Sequence, residues 1–355
     1  MQRPSKSSAS AGPGCGSQPA LYFYSSGDGV RFGFHPVGWN PKRTPSTLKV
    51  GMLTHTLRQK NGALTKRLEK FGLSIKDDPP LLARANQLIF LCGANSNDGR
   101  PSARRAAIKR FIESLSKDYR IIYAESVFKE LLRSGHSKNV LDLENEISNV
   151  ADRVLIVLES PSAFCELGVF SHYSLRNKLI IINDSHFRSE QSFVNVGPIA
   201  AAEESKSPVI WYPMASSGIH EVDGVGATFN SLKDIIAKIS SGSTRTSRDL
   251  TELQMDKLSL YFVHDIVLFT GPVSHRELVN VFIVALGHRN YDILANLLGI
   301  LRAANLIRSY DAKGTWVYQS SSKEPFMRYR TNIDSLTASF RRFHLRNNNA
   351  RFVYG

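Results

Sequence analysis

No apolar run in this chain reaches the ~18 residues that a membrane-crossing helix requires, so a helical spanning topology is excluded. Cysteine is scarce. Cys15, Cys92 and Cys165 lie far apart with no CxxC pair, which supports neither a disulfide framework nor a zinc ribbon. A reducing cytoplasm is the expected compartment. Residues 1–20, MQRPSKSSASAGPGCGSQPA, lack the apolar stretch of a secretory signal and read as a disordered tail. No GxGxxG fingerprint is present, and no pattern calls for a metal or a resident cofactor.

Acidic residues are in deficit, 31 Asp and Glu against 45 Lys and Arg, giving a net charge of +14. Residues 1–80 hold 12 basic and 4 acidic side chains (+8), and residues 81–250 hold 20 and 19 (+1). Residues 251–355 hold 13 and 8 (+5), so the excess sits on the two flanks. Basic flanks around a neutral centre suggest a catalytic or ligand-binding core held against a polyanion. The plainer alternative is a charge that only keeps the protein soluble. With +8 in one 80-residue arm, the polyanion reading is preferred.

At 355 residues and 42% hydrophobic content the chain has the material of a soluble protein with two or three domains. After the tail, residues 21–80 form a basic N-terminal arm, aromatic at first and helical over 46–71, closed by Asp77-Asp78-Pro79-Pro80. Residues 81–240 alternate in a regular way. Apolar strands are expected at 87–94, 120–125, 153–159, 178–184 and 208–214. Helices are expected between them at 102–117, 126–134, 141–151 and 162–175, with another at 228–239. Strands apolar throughout and separated by helices predict a doubly wound parallel α/β sheet covered on both faces. Residues 241–250 have the composition of a linker. In residues 251–355, helices at 253–269, 275–286 and 290–307 precede two short strands around Ala312-Lys313-Gly314. Ser274 and Glu277 have the spacing of a capping box. Three helices and a hairpin make a winged-helix-like α+β pattern, with Arg302, Arg308 and Lys313 as candidate nucleic-acid contacts. A small helical domain used for protein contacts is the alternative.

Ligands of an open parallel sheet bind beyond the carboxyl ends of its strands. The turn after the first strand, CGANSNDG, brings Gly93 and Asn95 to that edge, where backbone N–H groups could meet a phosphate. A plain tight turn is the commoner explanation of such a run. Stronger is ESPSAFCELGVF (159–170): Ser160-Pro161-Ser162 makes a strand-to-helix turn, and Glu166 falls near the helix start. The dipole there favours an ionised carboxylate, as a nucleophile or base requires. Gly168 offers a sugar or ring close approach to the backbone. Glu144 lies 22 residues earlier, at the start of the preceding helix, with one strand between. Two carboxylates across a sugar ring are what glycosidic cleavage needs. Spacing alone does not choose Glu144 over Asp142 or Glu146.

The stretch 141–198 resembles the nucleoside 2-deoxyribosyltransferase-like effectors of bacterial retrons. The resemblance rests on Leu143-Glu144-Asn145, Glu159-Ser160-Pro161, Glu166-Leu167-Gly168 and Phe193-Val194-Asn195-Val196-Gly197-Pro198. It extends from about residue 88 to 198 and more loosely through the C-terminal region. It implies that Glu166 is the nucleophile that takes the ribosyl carbon. A sugar-binding Asp of the family falls on Glu144, one methylene longer. A base-contacting Asp falls on Ser160, a departure that counts against ordinary deoxynucleoside base exchange. Gly93, Asn95, Ser160, Ser162, Gly168 and Asn195 are the expected substrate contacts. The retron branch implies a toxin acting on NAD or a related nucleotide. A reverse transcriptase with its msDNA, an RNA-linked single-stranded DNA, would hold that toxin inactive until phage infection. The basic flanks suit such a partner, with Arg341 and Arg342 as further contacts and Phe343 able to stack on bases. No membrane partner is implied, and self-association is compatible with the sequence.

Three functions are therefore weighed. The chain is expected to be a glycosidase-type retron toxin controlled by nucleic acid. The alternatives are a nucleoside deoxyribosyltransferase of nucleotide metabolism and a non-enzymatic winged-helix regulator that senses a nucleotide.

Overall fold

In the computed structural model, residues 52–83, 86–133, 148–241, 248–312, 314–347 and Arg351 are described. Five strands form one parallel sheet in the order β3-β2-β4-β5-β6. They are β2 (Gln87–Cys92), β3 (Tyr119–Tyr123), β4 (Arg153–Val157), β5 (Leu179–Asp184) and β6 (Val209–Tyr212). The chain steps from β2 outward to β3, then returns to the other side of β2 for β4, so the order reverses between β2 and β4. That is the topological switch point of a doubly wound sheet.

Both faces are buried because alternate residues of each strand point opposite ways. Leu88, Phe90, Val154, Ile156 and Ile181 belong to one core. That core also takes Val127 of α4 (Ala124–Arg133) and Ala163, Leu167 and Phe170 of α5 (Pro161–Phe170). Ile89, Leu91, Leu155, Val157, Ile180 and Ile182 face the other way. They meet Ile108 and Ile112 of α3 (Ala103–Leu115) and Leu232 and Ile236, which sit on the helix Phe229–Ser241. Where the chain is described, the expected strands and helices are present with shifted ends: β3 and α4 begin one and two residues early, and the helix Phe229–Ser241 ends two residues late. Of the helix expected over 141–151, residues 148–151 are described, and 148–150 are helical.

The second half of the chain shares the first of these cores. Its helices are α8 (Lys257–Thr270), α9 (His275–Leu286) and α10 (Ile293–Ala303); α6 (Ala200–Glu204) and α7 (Phe229–Ser241) precede them. The antiparallel hairpin β7 (Ile307–Asp311) and β8 (Trp316–Ser320) follows in the expected order. The capping box forms as expected: Ser274 Oγ accepts the Glu277 N–H while the Glu277 carboxylate accepts the Ser274 N–H. The same carboxylate receives both Arg351 Nη atoms at 2.8 and 3.0 Å. Residues 248–250, expected in a linker, are tied down. Arg248 pairs with Asp256 at 2.7 Å and Leu250 is buried.

Two features lie outside the sequence expectations. The helix expected over 46–71 is two helices where it is described, α1 (Met52–Leu57) and α2 (Ala63–Asp77). Their Leu53, Leu68, Phe71 and Ile75 enter the core of the C-terminal helices, leaving Lys66, Arg67 and Lys70 exposed. α2 crosses α9 so closely that a Cβ on Gly72 would stand 1.7 Å from the Ala285 carbonyl oxygen. The second is a fifteen-residue helix near the C-terminus, α11 (Ile333–Asn347), packed against α2 and α8. A two-residue pairing of β1 (Leu81–Leu82) with β9 (Met327–Arg328) joins the two ends of this lobe.

Buried polar groups pin the lobe together. His264 contacts Asp265 through Nδ1 and Ser320 Oγ through Nε2, each at 2.9 Å. Asp265 also accepts the N–H groups of Phe326 and Met327 and the Tyr329 hydroxyl. Ser, His and Asp in this order form hydrolytic triads. Here the Ser322 backbone engages the Ser320 hydroxyl through both its N–H and its carbonyl. The arrangement clamps the hairpin and β9 onto α8.

Candidate active site

Parallel register carries the ends of β2, β4 and β5 to one edge, with Cys92 beside Ile156 and Val157 beside Ile182. With adjacent strands about 4.8 Å apart, the turns after β2 and β5 stand roughly 10 Å from each other. Gly93, Asn95, Ser160, Ser162, Glu166 and Asn195 all belong to segments that leave this edge.

Glu166 is half-buried on α5. Pro161 is the first helical residue and Ser160 the N-cap, so Glu166 falls in the second turn. The helix dipole acts mainly within the first turn, so its support for this carboxylate is weaker than the sequence suggested. Ser162 lies one turn earlier on the same flank. Gly168 is two residues on, about 160° around the helix, and faces solvent beside Phe164. Glu166 and Gly168 are thus not brought together. Glu144, with Asp142 and Glu146, lies outside the described residues.

The other candidates have local partners. Ser160 Oγ accepts the Ala163 N–H at 3.3 Å and lies 2.9 Å from Ser162 Oγ. Asn195 donates its amide to the carbonyls of Phe187 and Glu190, fixing the turn after β5. Asn95 Oδ1 accepts from Arg105 at 3.1 Å. Gly93 has φ +150°, and a Cβ there would meet Arg105 Cδ at 2.7 Å and Glu159 Oε1 at 3.0 Å. The CGANSNDG turn supplies its own anion: Asp98 accepts the Ser96 hydroxyl and the Arg100 N–H. These bonds, the Ser96 hydroxyl first, hold the Asp98 carboxyl down at about 2.

At the switch point the crevice is filled by charged side chains from the start of the helix expected over 102–117. Arg104 and Arg105, in the first turn of α3, are buried. Cations at a helix N-terminus oppose the dipole, so this placement needs acidic partners. Arg104 meets Glu159 at 2.9 Å and Asp223 at 2.7 Å, and it also donates to the Ala215 carbonyl. Arg105 pairs with Glu125 at 2.8 Å and lies over the Tyr123 ring, 4.9 Å from its centre. Burial pushes the Tyr123 hydroxyl up to about 12. Burial also works against the Asp223 carboxylate, but hydrogen bonds from Arg104 and the Ala215 N–H overcome it and lower its pKa. Glu159 further accepts the Ser102 hydroxyl at 2.5 Å and the Ala94 N–H at 3.1 Å. This network joins β2, β4 and the 213–225 segment.

Among the candidate nucleic-acid contacts, Arg308, Arg341 and Arg342 come together on the C-terminal lobe. Arg308 and Arg341 line one cavity of 460 Å³. Arg341 and Arg342 line an adjoining one of 750 Å³. Arg302 is elsewhere, paired with Glu130 of α4 at 2.6 Å. Lys313 lies outside the described residues. Phe343 is half-buried and packs on the core.

The family described as “STM3845 retron effector protein” matches residues 101–309, which covers the edge with Glu166, Glu159 and Asp223. The chain belongs to this retron effector family. An Escherichia coli protein described as “Retron Ec73 putative ribosyltransferase/DNA-binding protein” is 35% identical over 309 residues. That match spans 82% of this chain and 96% of the relative. The Escherichia coli “Retron Ec86 putative ribosyltransferase/DNA-binding protein” is 38% identical over 112 residues, 31% of this chain and 36% of that one. Among the described residues of this retron effector no cluster fit to hold a metal occurs, and no helix is long and apolar enough to cross a membrane. The signal that would have revealed Arg104 and Arg105 was two cations in the first helical turn after the N-cap Ser102. The partner Asp223, 119 residues beyond Arg104, gave none.

Proposed function

We propose that this retron effector breaks the N-glycosidic bond of NAD or a related nucleotide, as the toxin of a defence system. A Glu166 carboxylate oxygen bonds to the anomeric carbon while the bond from that carbon to the base nitrogen breaks, and the base departs with the bonding electrons. Water or another acceptor then takes the ribosyl group and frees Glu166. Glu144 holds the sugar hydroxyls. The reading is carried by the half-buried Glu166 on α5, which leaves the sheet edge where such folds bind ligands. The name ribosyltransferase, borne by both Escherichia coli relatives, supports it. Ser160 is consumed as a helix cap, which disfavours base exchange between deoxynucleosides.

The same relatives are named DNA-binding, and the basic C-terminal surface supports a nucleic-acid partner here. In this reading the helix–helix–helix–hairpin unit is winged-helix-like, and a reverse transcriptase with its msDNA holds the toxin inactive. The test is base release by the purified full chain from a panel of NAD, nucleotides and deoxynucleosides. Release from NAD or a nucleotide is expected, with Glu166→Gln lowering turnover by several orders of magnitude at an unchanged melting temperature. Near-wild-type release by Glu166→Gln would overturn the mechanism.

A further inference from the structure

In a helix–helix–helix–hairpin unit that binds duplex DNA, the third helix ordinarily enters the major groove. Here that helix is α10, and it has little face left to offer. Leu294, Asn296, Leu297, Leu298, Gly299, Ile300 and Leu301 are all buried, and α10 packs against α4 and α8. Its one arginine, Arg302, is spent on Glu130.

The exposed cations lie instead along α11. Arg341, Arg342 and Arg346 are all exposed on its C-terminal half. α11 forms a ridge with a concavity on each side. Towards α8 the cavity of 750 Å³ is lined by Lys323 as well as these three arginines. Towards α2 a cavity of 410 Å³ is lined by Arg67, Arg342 and Arg346. The first adjoins the cavity that holds Arg308. Asp334 is the single acid in the lining of the three cavities.

We propose that the α11 ridge, and not α10, grips a nucleic-acid duplex, with Arg341, Arg342 and Arg346 as its principal phosphate contacts. This deepens the nucleic-acid-bound reading above and rests on it. A major groove about 12 Å wide admits one helix, and the phosphates on either side of it would then fall over the two basic concavities. A single strand would be favoured by exposed aromatic platforms. The two aromatic rings in these linings do not provide them, since Phe269 is buried and Phe343 is half-buried in packing.

The test uses the full chain, a DNA duplex of about twenty base pairs and its single strand, titrated at several salt concentrations. Wild type should prefer the duplex, with log affinity falling linearly against log salt. Arg341→Ala/Arg342→Ala/Arg346→Ala should lower affinity at least tenfold and flatten the salt slope by about 2 to 3. The corresponding triple lysine variant should restore most of the slope, since phosphate contact needs charge more than shape. Arg302→Ala should bind like wild type. If wild type binds neither nucleic acid, the underlying reading fails. If wild type binds but the triple alanine variant matches it, or Arg302→Ala is the damaging change, only the α11 assignment fails. Preference for the single strand would overturn the duplex.

Discussion

Arg302 Nη1 stands 2.6 Å from Glu130 Oε2, joining the last turn of α10 to the middle of α4. An arginine that composition would assign to a polyanion thus links the C-terminal helices to the sheet domain. Both side chains are largely covered, 28% and 14% exposed. Arg302→Ala is expected to cost about 1 kcal/mol of stability, as for a partly covered ion pair. Denaturant unfolding would measure it, and an unchanged midpoint would assign the pair no structural value.

Asp223 and Arg104 fasten the 213–225 segment to the switch point. Arg104→Ala strands the buried Glu159 and Asp223 carboxylates and should cost about 3–5 kcal/mol, while Asp223→Asn, which leaves Arg104 paired with Glu159, should cost less. The folded-state pKa of Asp223 lies below its unfolded value. Its contribution is therefore complete above about pH 4 and is lost as pH falls through the lower folded-state value. Melting curves of wild type and Asp223→Asn should converge in acid and separate towards neutrality. A constant gap from pH 7 to pH 2 would count against the linkage.

Gly72 lets α2 and α9 touch backbone to backbone. Gly72→Ala puts a methyl group into the Ala285 carbonyl, so the helices must separate. A destabilisation of about 1–3 kcal/mol or more is expected from such overpacking, although alanine is the better helix former. A more stable variant would show that the helices part without cost.

Glu144 tests the partner of Glu166. As the sugar-binding carboxylate, Glu144→Ala should lower turnover on the order of a hundredfold by misplacing the reacting carbon. Glu144→Asp should be milder because the charge remains. As an acid serving only its helix dipole, Glu144 would contribute about 0.3–1 kcal/mol to stability and nothing to rate. Rate and melting temperature on the same two variants separate these outcomes.

The sequence by itself determined the elements whose physics is local. Runs such as LIFLC (88–92) and VLIV (154–157) are apolar at every position because both faces of a parallel strand are covered, so the sheet was legible. Ser274 and Glu277 were legible as a cap because the two reciprocal bonds span three residues. Ser160-Pro161 marked the start of α5 for the same reason. Other properties depend on what is brought close from far along the chain. Nothing local marked Arg104 and Arg105 as buried, because Glu159, Asp223 and Glu125 meet them only on folding. α11 was hidden because its burial is set by α2, more than 250 residues earlier, and by α8. Arg302 and Arg341 are the same residue type, each on a helix of the C-terminal lobe. Only tertiary packing gave one a carboxylate and left the other at the surface, because a charge is spent or free according to its neighbours in space.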